Sequence, residues 1–65
     1  MDPDDFWALA GEHCTDRELE ALRLRAAGAT YKQGGKQLGI TKQAFHRRIR
    51  RATARIRDKK HHATG

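Results

Sequence analysis

The feature that most restricts the fold of this chain is the stretch 40–64, which contains neither glycine nor proline. These two residues are the usual interruptions of helices, so a helix that begins here meets no stop signal within the stretch. An α-helix turns by about 100° per residue, and four apolar side chains then fall within about 60° of one another. They are Phe45, Ile49, Ala52 and Ile56. We therefore predict a helix at 42–57, or as far as 42–60, with one apolar stripe that packs against the rest of the chain.

The opposite side of this predicted helix is strongly basic. Residues 42–57 include no acid, and seven of them are lysine or arginine: Lys42, Arg47, Arg48, Arg50, Arg51, Arg55 and Arg57. The side chains farthest from the apolar stripe are Gln43, Arg47, Arg50 and Ala54, flanked by His46, Arg57 and Arg51. Like charges three or four residues apart cost roughly a few tenths of a kcal/mol per pair, and solvated helix faces normally interleave acids with bases. An anionic partner therefore explains this face better than solvent alone.

Start and stop signals predict two further helices before this one. Two threonines precede a glutamate or a glutamine by three residues, as in a capping box: Thr15 with Glu18, and Thr30 with Gln33. Each candidate helix is followed by a glycine that can adopt the left-handed conformation of a helix end, namely Gly28 and Gly39. We predict helices at 16–27 and 31–38, and Thr41 as the cap of the long helix.

The amino-terminal segment carries a weaker helix signal. Pro3 is suited to the first turn of a helix, and the aspartates beside it favour the positive end of the helix dipole. Apolar side chains follow, at Phe6, Trp7 and Leu9. We predict a short helix at about 3–10. The fold class is all-α, a small three- to four-helix bundle with residues 1–12 as an amino-terminal helix or arm, 13–60 as the main domain and 61–65 as a disordered tail.

Composition excludes several classes of function. The single Cys14 cannot form an internal disulfide, and no apolar stretch approaches the roughly 18 residues of a membrane span. The amino end is acidic, unlike a secretory signal, and we expect a cytoplasmic protein. The abundance of alanine, arginine and glycine suits a GC-rich genome, and we expect the source to be a bacterial cell or a phage-infected host. We expect no enzyme activity, no cofactor and no small-molecule substrate, because there is no glycine-rich phosphate loop and no nucleophile with an orienting base. A zinc site is disfavoured because the spacing of its candidate ligands fits no ordinary module: His13, Cys14, His61 and His62.

The distribution of charge favours a nucleic-acid partner. The formal net charge is +6, but residues 1–20 hold seven acids and one base, whereas 21–65 hold 13 bases and one acid. An anionic membrane is a weaker alternative, since the apolar stripe is needed for the core. DNA phosphates reward several cations, and the major groove admits one helix. A short helix, a glycine-containing turn and a long basic helix also have the form of a helix-turn-helix, with the long helix as the recognition helix.

Residues 14–57 resemble the DNA-binding domain of the LuxR/NarL response-regulator family, and are similar also to region four of bacterial sigma factors. The resemblance is carried by the stretch "CTDRELEALRLRAAGATYKQGGKQLGIT" and by two apolar positions after it, Phe45 and Ile49. It implies that the helix at 42–57 enters the major groove and that the start of the helix at 31–38 crosses the DNA backbone.

The resemblance and the helical projection together give a set of candidate site residues. The residues expected to contact base edges are Lys42, Gln43, His46, Arg47 and Arg50. The residues expected to hold phosphates are Thr30, Tyr31, Lys32, Lys36, Thr41, Arg51 and Arg55. Arginine can pair with guanine through two hydrogen bonds, and glutamine can do so with adenine. The expected partner is double-stranded DNA.

The chain departs from the family pattern in ways that affect packing and partners. Gly34 and Gly35 replace a branched apolar residue and a small one, and we expect Phe6 or Trp7 to fill the space over Gly34. Arg25 and Arg48 occupy positions that are usually apolar or small and polar in the family, so we expect the edge of the core to be more hydrated than is usual for it. LuxR-type domains dimerise through a further helix that this sequence does not offer. A homodimer remains open, and the alternative function is an adaptor that binds RNA polymerase or another regulator through its acidic amino-terminal segment and its tryptophan.

Overall fold

A computed structural model describes residues 2–64 of the chain, with side chains from residue 2 to residue 59. Within this range all regular structure is helical, and the predicted all-α class is confirmed. The four helices are α1 (Pro3–His13), α2 (Asp16–Ala26), α3 (Tyr31–Leu38) and α4 (Lys42–Thr64). None of them, over the residues described, is long and apolar enough to cross a lipid bilayer.

The two predicted capping boxes are confirmed at the starts of α2 and α3. Thr15 Oγ1 accepts a hydrogen bond from the Glu18 N–H at 3.2 Å, and Glu18 Oε1 accepts one from the Thr15 N–H at 2.8 Å. The same reciprocal pair joins Thr30 and Gln33, at 3.1 and 2.9 Å. Each box satisfies backbone donors that the first turn of a helix leaves free, which fixes where these helices begin.

The connection between α3 and α4 is tight because glycine allows it. Gly39 ends α3 in the left-handed conformation, with φ of 72°, and the Ile40 N–H donates to the carbonyl of Gly35 at 2.8 Å. A Cβ on Gly35 would lie 2.8 Å from the Ile40 carbonyl oxygen and 3.0 Å from that of Thr41. Thr41 then caps α4, because its Oγ1 accepts from the Ala44 N–H at 3.0 Å.

The core lies along one side of α4, which contacts each of the other three helices. The predicted apolar stripe is confirmed, since its four members are at most 8% exposed: Phe45, Ile49, Ala52 and Ile56. They pack with buried residues of α1 and α2, namely Ala10, Ala21 and Leu22. Burial of this stripe fixes the rotation of α4 about its own axis and turns the opposite side chains toward solvent.

The space over Gly34 is filled by a residue of α4. A Cβ built on Gly34 would lie 2.5 Å from both Cε atoms of Phe45 and closer still to its Cζ. The expectation that Phe6 or Trp7 fills this space is therefore wrong. These two rings lie on α1, partly buried, and pair edge to face with centroids 5.2 Å apart. Phe45 reaches Gly34 because α3 and α4 are adjacent in sequence and packed together.

Two helices extend beyond their predicted ends. α1 reaches His13 rather than residue 10, and Ala10 on it is fully buried, so this segment is part of the core and not a separate arm. α4 reaches Thr64, so residues 61–64, expected as a disordered tail, continue the helix. No glycine or proline occurs between Lys42 and Thr64 to end the helix, and Gly65 lies outside the described residues.

Candidate nucleic-acid interface

The side of α4 opposite the core presents four polar side chains that we call the outward face: Gln43, His46, Arg47 and Arg50. All four are exposed, and together they line one shallow depression. Lys42, the fifth residue predicted to contact bases, is also exposed, in the first turn of α4. The structure therefore brings four of the five predicted base-contacting residues together on one side of a single helix, where guanidinium, amide and imidazole groups can meet a polar ligand together.

The rings of Tyr31 and His46 contact each other at an interplanar angle of 42°, a contact that sequence reasoning missed. The two ring centroids lie 4.6 Å apart. The Tyr31 ring is also 6.2 Å from that of Phe45, and the Arg25 guanidinium carbon lies 4.9 Å from its centre. Tyr31 was predicted as a phosphate contact, but its half-buried ring also restricts where the imidazole of His46 can lie. The sequence features that could have indicated this contact are the aromatic residue at the start of α3 and the histidine one turn into α4.

The other predicted phosphate-binding residues near α3 are exposed. They are Thr30, Lys32, Lys36 and Thr41. The hydroxyl oxygens of Thr30 and Thr41 accept hydrogen bonds as helix caps, and each hydroxyl can still donate its proton to an anion. Arg51, on the opposite edge of α4, is also exposed. These groups can therefore reach an extended polyanion on either side of the outward face.

Arg55 is the exception among the predicted phosphate contacts. Its Nη1 donates to Glu18 Oε1, forming an ion pair with α2, and also donates to the His13 carbonyl at the end of α1, at 3.1 Å. Glu18 is only 7% exposed. Because the Arg55 guanidinium already holds three helices together, its position does not suit it to bind phosphate. We assign Arg55 a structural role.

Burial and charge shift the pKa values of two side chains at this junction. Burial alone would raise the pKa of Glu18, but the Thr15 N–H and the Arg55 charge stabilise the carboxylate more, so the pKa lies below its ordinary value. Burial raises the pKa of the Cys14 thiol, the Glu18 charge raises it further, and Arg55 opposes both. Glu18 is therefore ionised at neutral pH, as the ion pair with Arg55 requires.

Two of the four candidate zinc ligands lie outside the residues whose side chains the structure describes. The side chains of His61 and His62 are not described. Over residues 2–59, no three histidine, cysteine, aspartate or glutamate side chains are grouped as ligands of one metal ion would be.

Comparisons of the whole chain with models of known protein families, with curated proteins and with solved structures gave no match.

Proposed function

We propose that this protein is a small transcription regulator that binds specific sequences of double-stranded DNA in the cytoplasm of a bacterial cell or a phage-infected host. In this proposal α3, the glycine turn and α4 act as a helix-turn-helix, and α4 is the recognition helix. The observation that carries the proposal is the outward face: exposed arginine, glutamine and histidine side chains on a helix whose other side is locked in the core.

The chemistry of this face suits the edges of base pairs. A major groove about 12 Å wide accepts a helix about 10 to 12 Å across. Arg47 and Arg50 can each donate two hydrogen bonds to guanine, and Gln43 can form two with adenine. Lys42 and His46 lie beside them and can donate to acceptor atoms at neighbouring positions. The resemblance to LuxR/NarL domains and sigma region four independently favours the same residues.

Phosphate contacts would give this interface most of its affinity. Lys32 and Lys36 on α3 are exposed, and the hydroxyls of Thr30 and Thr41 retain a proton to donate. Arg51 would contribute from the other edge of α4. Because phosphate contacts release counterions, binding should weaken steeply as salt is added.

Selection from a random pool of duplexes tests the proposal directly. We expect the protein to enrich a short consensus sequence. Arg47→Ala should then relax preference at one base pair at a cost of about 1 to 3 kcal/mol, because a base-edge contact discriminates between bases. Lys32→Ala is the matched control and should weaken selected and random duplexes alike. If no consensus is enriched, or if Arg47→Ala weakens both kinds of duplex equally, the assignment is wrong.

A second candidate function is favoured by the exposed acids of α1. Asp4, Asp5 and Glu12 are exposed, and Trp7 is only partly buried. These side chains suit an adaptor that docks on RNA polymerase or another regulator. One helix contacts only a few base pairs, so such a partner, or a second copy of the chain, would also add selectivity. A pull-down with purified polymerase decides between them: polymerase retained by a chain that enriches no duplex would favour the adaptor.

A further inference from the structure

A second depression lies on the edge of α4 that faces the start of α2. Four arginines line it: Arg17 from α2, and Arg47, Arg48 and Arg51 from α4. Arg17, Arg47 and Arg51 are exposed and Arg48 is half-buried. Of these, Arg17 and Arg48 were not among the residues predicted to contact DNA. We call this group the four-arginine site.

Positive charge exceeds negative charge in the four-arginine site: Glu18 is the one acid that lines it, and Glu20 lies beside Arg17 and Arg48 in a neighbouring depression. Glu18 lies in the same depression, but its carboxylate is already paired with Arg55. In the part of the chain with described side chains, none of the four arginines forms an ion pair. Guanidinium groups that line one depression repel one another, and an anion bound between them offsets this repulsion. The site therefore suits an anion with several charges in a row.

The position of the site relative to the outward face identifies that anion. Arg47 lines both depressions, so the four-arginine site is continuous with the outward face. The start of α3, with Tyr31 against His46, lies on one edge of α4, and α2, with Glu18 bonded to Arg55, lies on the other. A helix lying along the major groove has one sugar–phosphate backbone beside each edge. The two edges would therefore face different strands.

We propose that Arg17, Arg48 and Arg51 bind phosphodiester groups of one DNA strand while the start of α3 binds those of the other. This inference depends on the proposed function and extends it from one phosphate-binding edge to two. Guanidinium groups can bind phosphate oxygens through two parallel hydrogen bonds, which suits arginine to this task better than lysine. Arg17 supplies the contact farthest from α4 and widens the footprint of the protein on DNA.

The test compares Arg17→Gln with Arg23→Gln. Both arginines are exposed on α2 and both substitutions remove one charge, but Arg23 does not line the four-arginine site. Binding of each variant to the selected duplex is measured across a range of salt concentrations. Arg17→Gln should weaken binding roughly 3- to 10-fold and reduce the slope of log affinity against log salt by about 1, as expected for one lost phosphate contact. Arg23→Gln should leave the slope unchanged.

A duplex with single phosphates replaced by neutral methylphosphonates assigns the strand. The wild-type protein should lose affinity when the phosphate beside Arg17 is neutralised, and Arg17→Gln should be indifferent to that change. Lys32→Ala should be indifferent to a methylphosphonate on the opposite strand. If both variants lose their sensitivity to methylphosphonates on the same strand, the two-edge arrangement is wrong.

The outcomes separate this inference from the proposed function. If the protein enriches a consensus and Arg47→Ala relaxes it, but Arg17→Gln behaves like Arg23→Gln, the four-arginine site does not bind DNA and the proposed function stands. The same conclusion follows if Arg17→Gln impairs only the binding of an acidic protein. If the wild-type chain binds no duplex selectively, the inference and the proposed function are both wrong.

Discussion

α4 is attached to the rest of the molecule in two chemically different ways. Toward α1 and α2, Arg55 bonds to the Glu18 carboxylate and to the His13 carbonyl. Toward α3, the Phe45 ring packs directly on Gly34, where no side chain intervenes. The first attachment adds a charged pair to the apolar packing of α4 on α1 and α2, whereas the second depends on the fit of a ring against a glycine. The outward face lies outside both attachments, so the arginines of one helix divide into one that joins helices together, Arg55, and others that remain exposed to solvent.

The polar attachment should show the largest effect. Arg55→Met should lower the free energy of unfolding by about 2 kcal/mol, because it leaves Glu18 nearly buried without its partner. Breaking a fully buried pair costs about 3 to 5 kcal/mol, and we expect less because the Arg55 side chain is 40% exposed. Urea unfolding followed by circular dichroism measures this loss. Arg47→Met is the matched control and should change stability by less than about 0.5 kcal/mol. Equal losses in the two variants would remove the distinction between them.

The shape-dependent attachment should respond to steric substitution. Gly34→Ala improves helix propensity by about 0.5 to 1 kcal/mol, but its Cβ would collide with Phe45. Overpacking of this kind costs about 1 to 3 kcal/mol, so we expect a net loss of about 1 kcal/mol in unfolding free energy.

A double-mutant cycle checks the origin of that loss. Phe45→Leu replaces the ring that fills the space over Gly34 with a shorter side chain. The variant carrying both substitutions should therefore be more stable than the sum of the single changes implies. Additive changes would mean that the two residues do not compete for the same space.

Acid should weaken only the polar attachment. The pKa of Glu18 is lowered in the folded chain from its ordinary value of 4.5. Its contribution to stability is therefore complete above that value and is lost as the pH falls through the lower, folded pKa. Glu18→Gln removes the charge while preserving a side chain able to cap α2, as Gln33 caps α3. Unfolding measured from pH 7 to pH 2 should show the two proteins converging in stability at low pH. A constant difference would contradict the shift.

The smallest effect is expected at Tyr31, whose ring lies between Phe45 of the core and His46 of the outward face. Tyr31→Leu removes the ring that lies against His46 and should weaken preference at one base pair by about 0.5 to 1 kcal/mol, the size of an aromatic pair contact. Tyr31→Phe keeps the ring and should retain the preference. Binding to the selected duplex and to single-base variants of it measures both. If Tyr31→Phe loses as much as Tyr31→Leu, the hydroxyl matters and the ring does not.

Local sequence signals predicted most of the fold. The capping boxes, the glycine at the end of α3 and the apolar stripe of α4 each involve residues a few positions apart, and all were identified correctly. The end of α4 was less predictable, because helix boundaries without a glycine or proline depend on weak preferences. The buried side of α4 also implied its outward face, so the exposure of the residues predicted to contact bases followed from the same periodicity.

Contacts between distant residues were not predictable in this way. Glu18 and Arg55 are 37 positions apart, so nothing near Arg55 in the sequence distinguishes it from the exposed arginines of the same helix. The neighbour of Gly34 was also misidentified, because a missing side chain shows only that space is available. The four-arginine site combines residues of two helices, and its existence depends on how α2 packs on α4.

The position of α1 limits how this protein can be shortened. Residues 14–57, which we propose as the DNA-binding segment, do not include Ala10 or the His13 carbonyl that accepts from Arg55. A fragment trimmed to that segment would open the core to water and leave a guanidinium donor without its acceptor. A graft of this domain onto another protein should therefore include α1, because this helix covers part of the core.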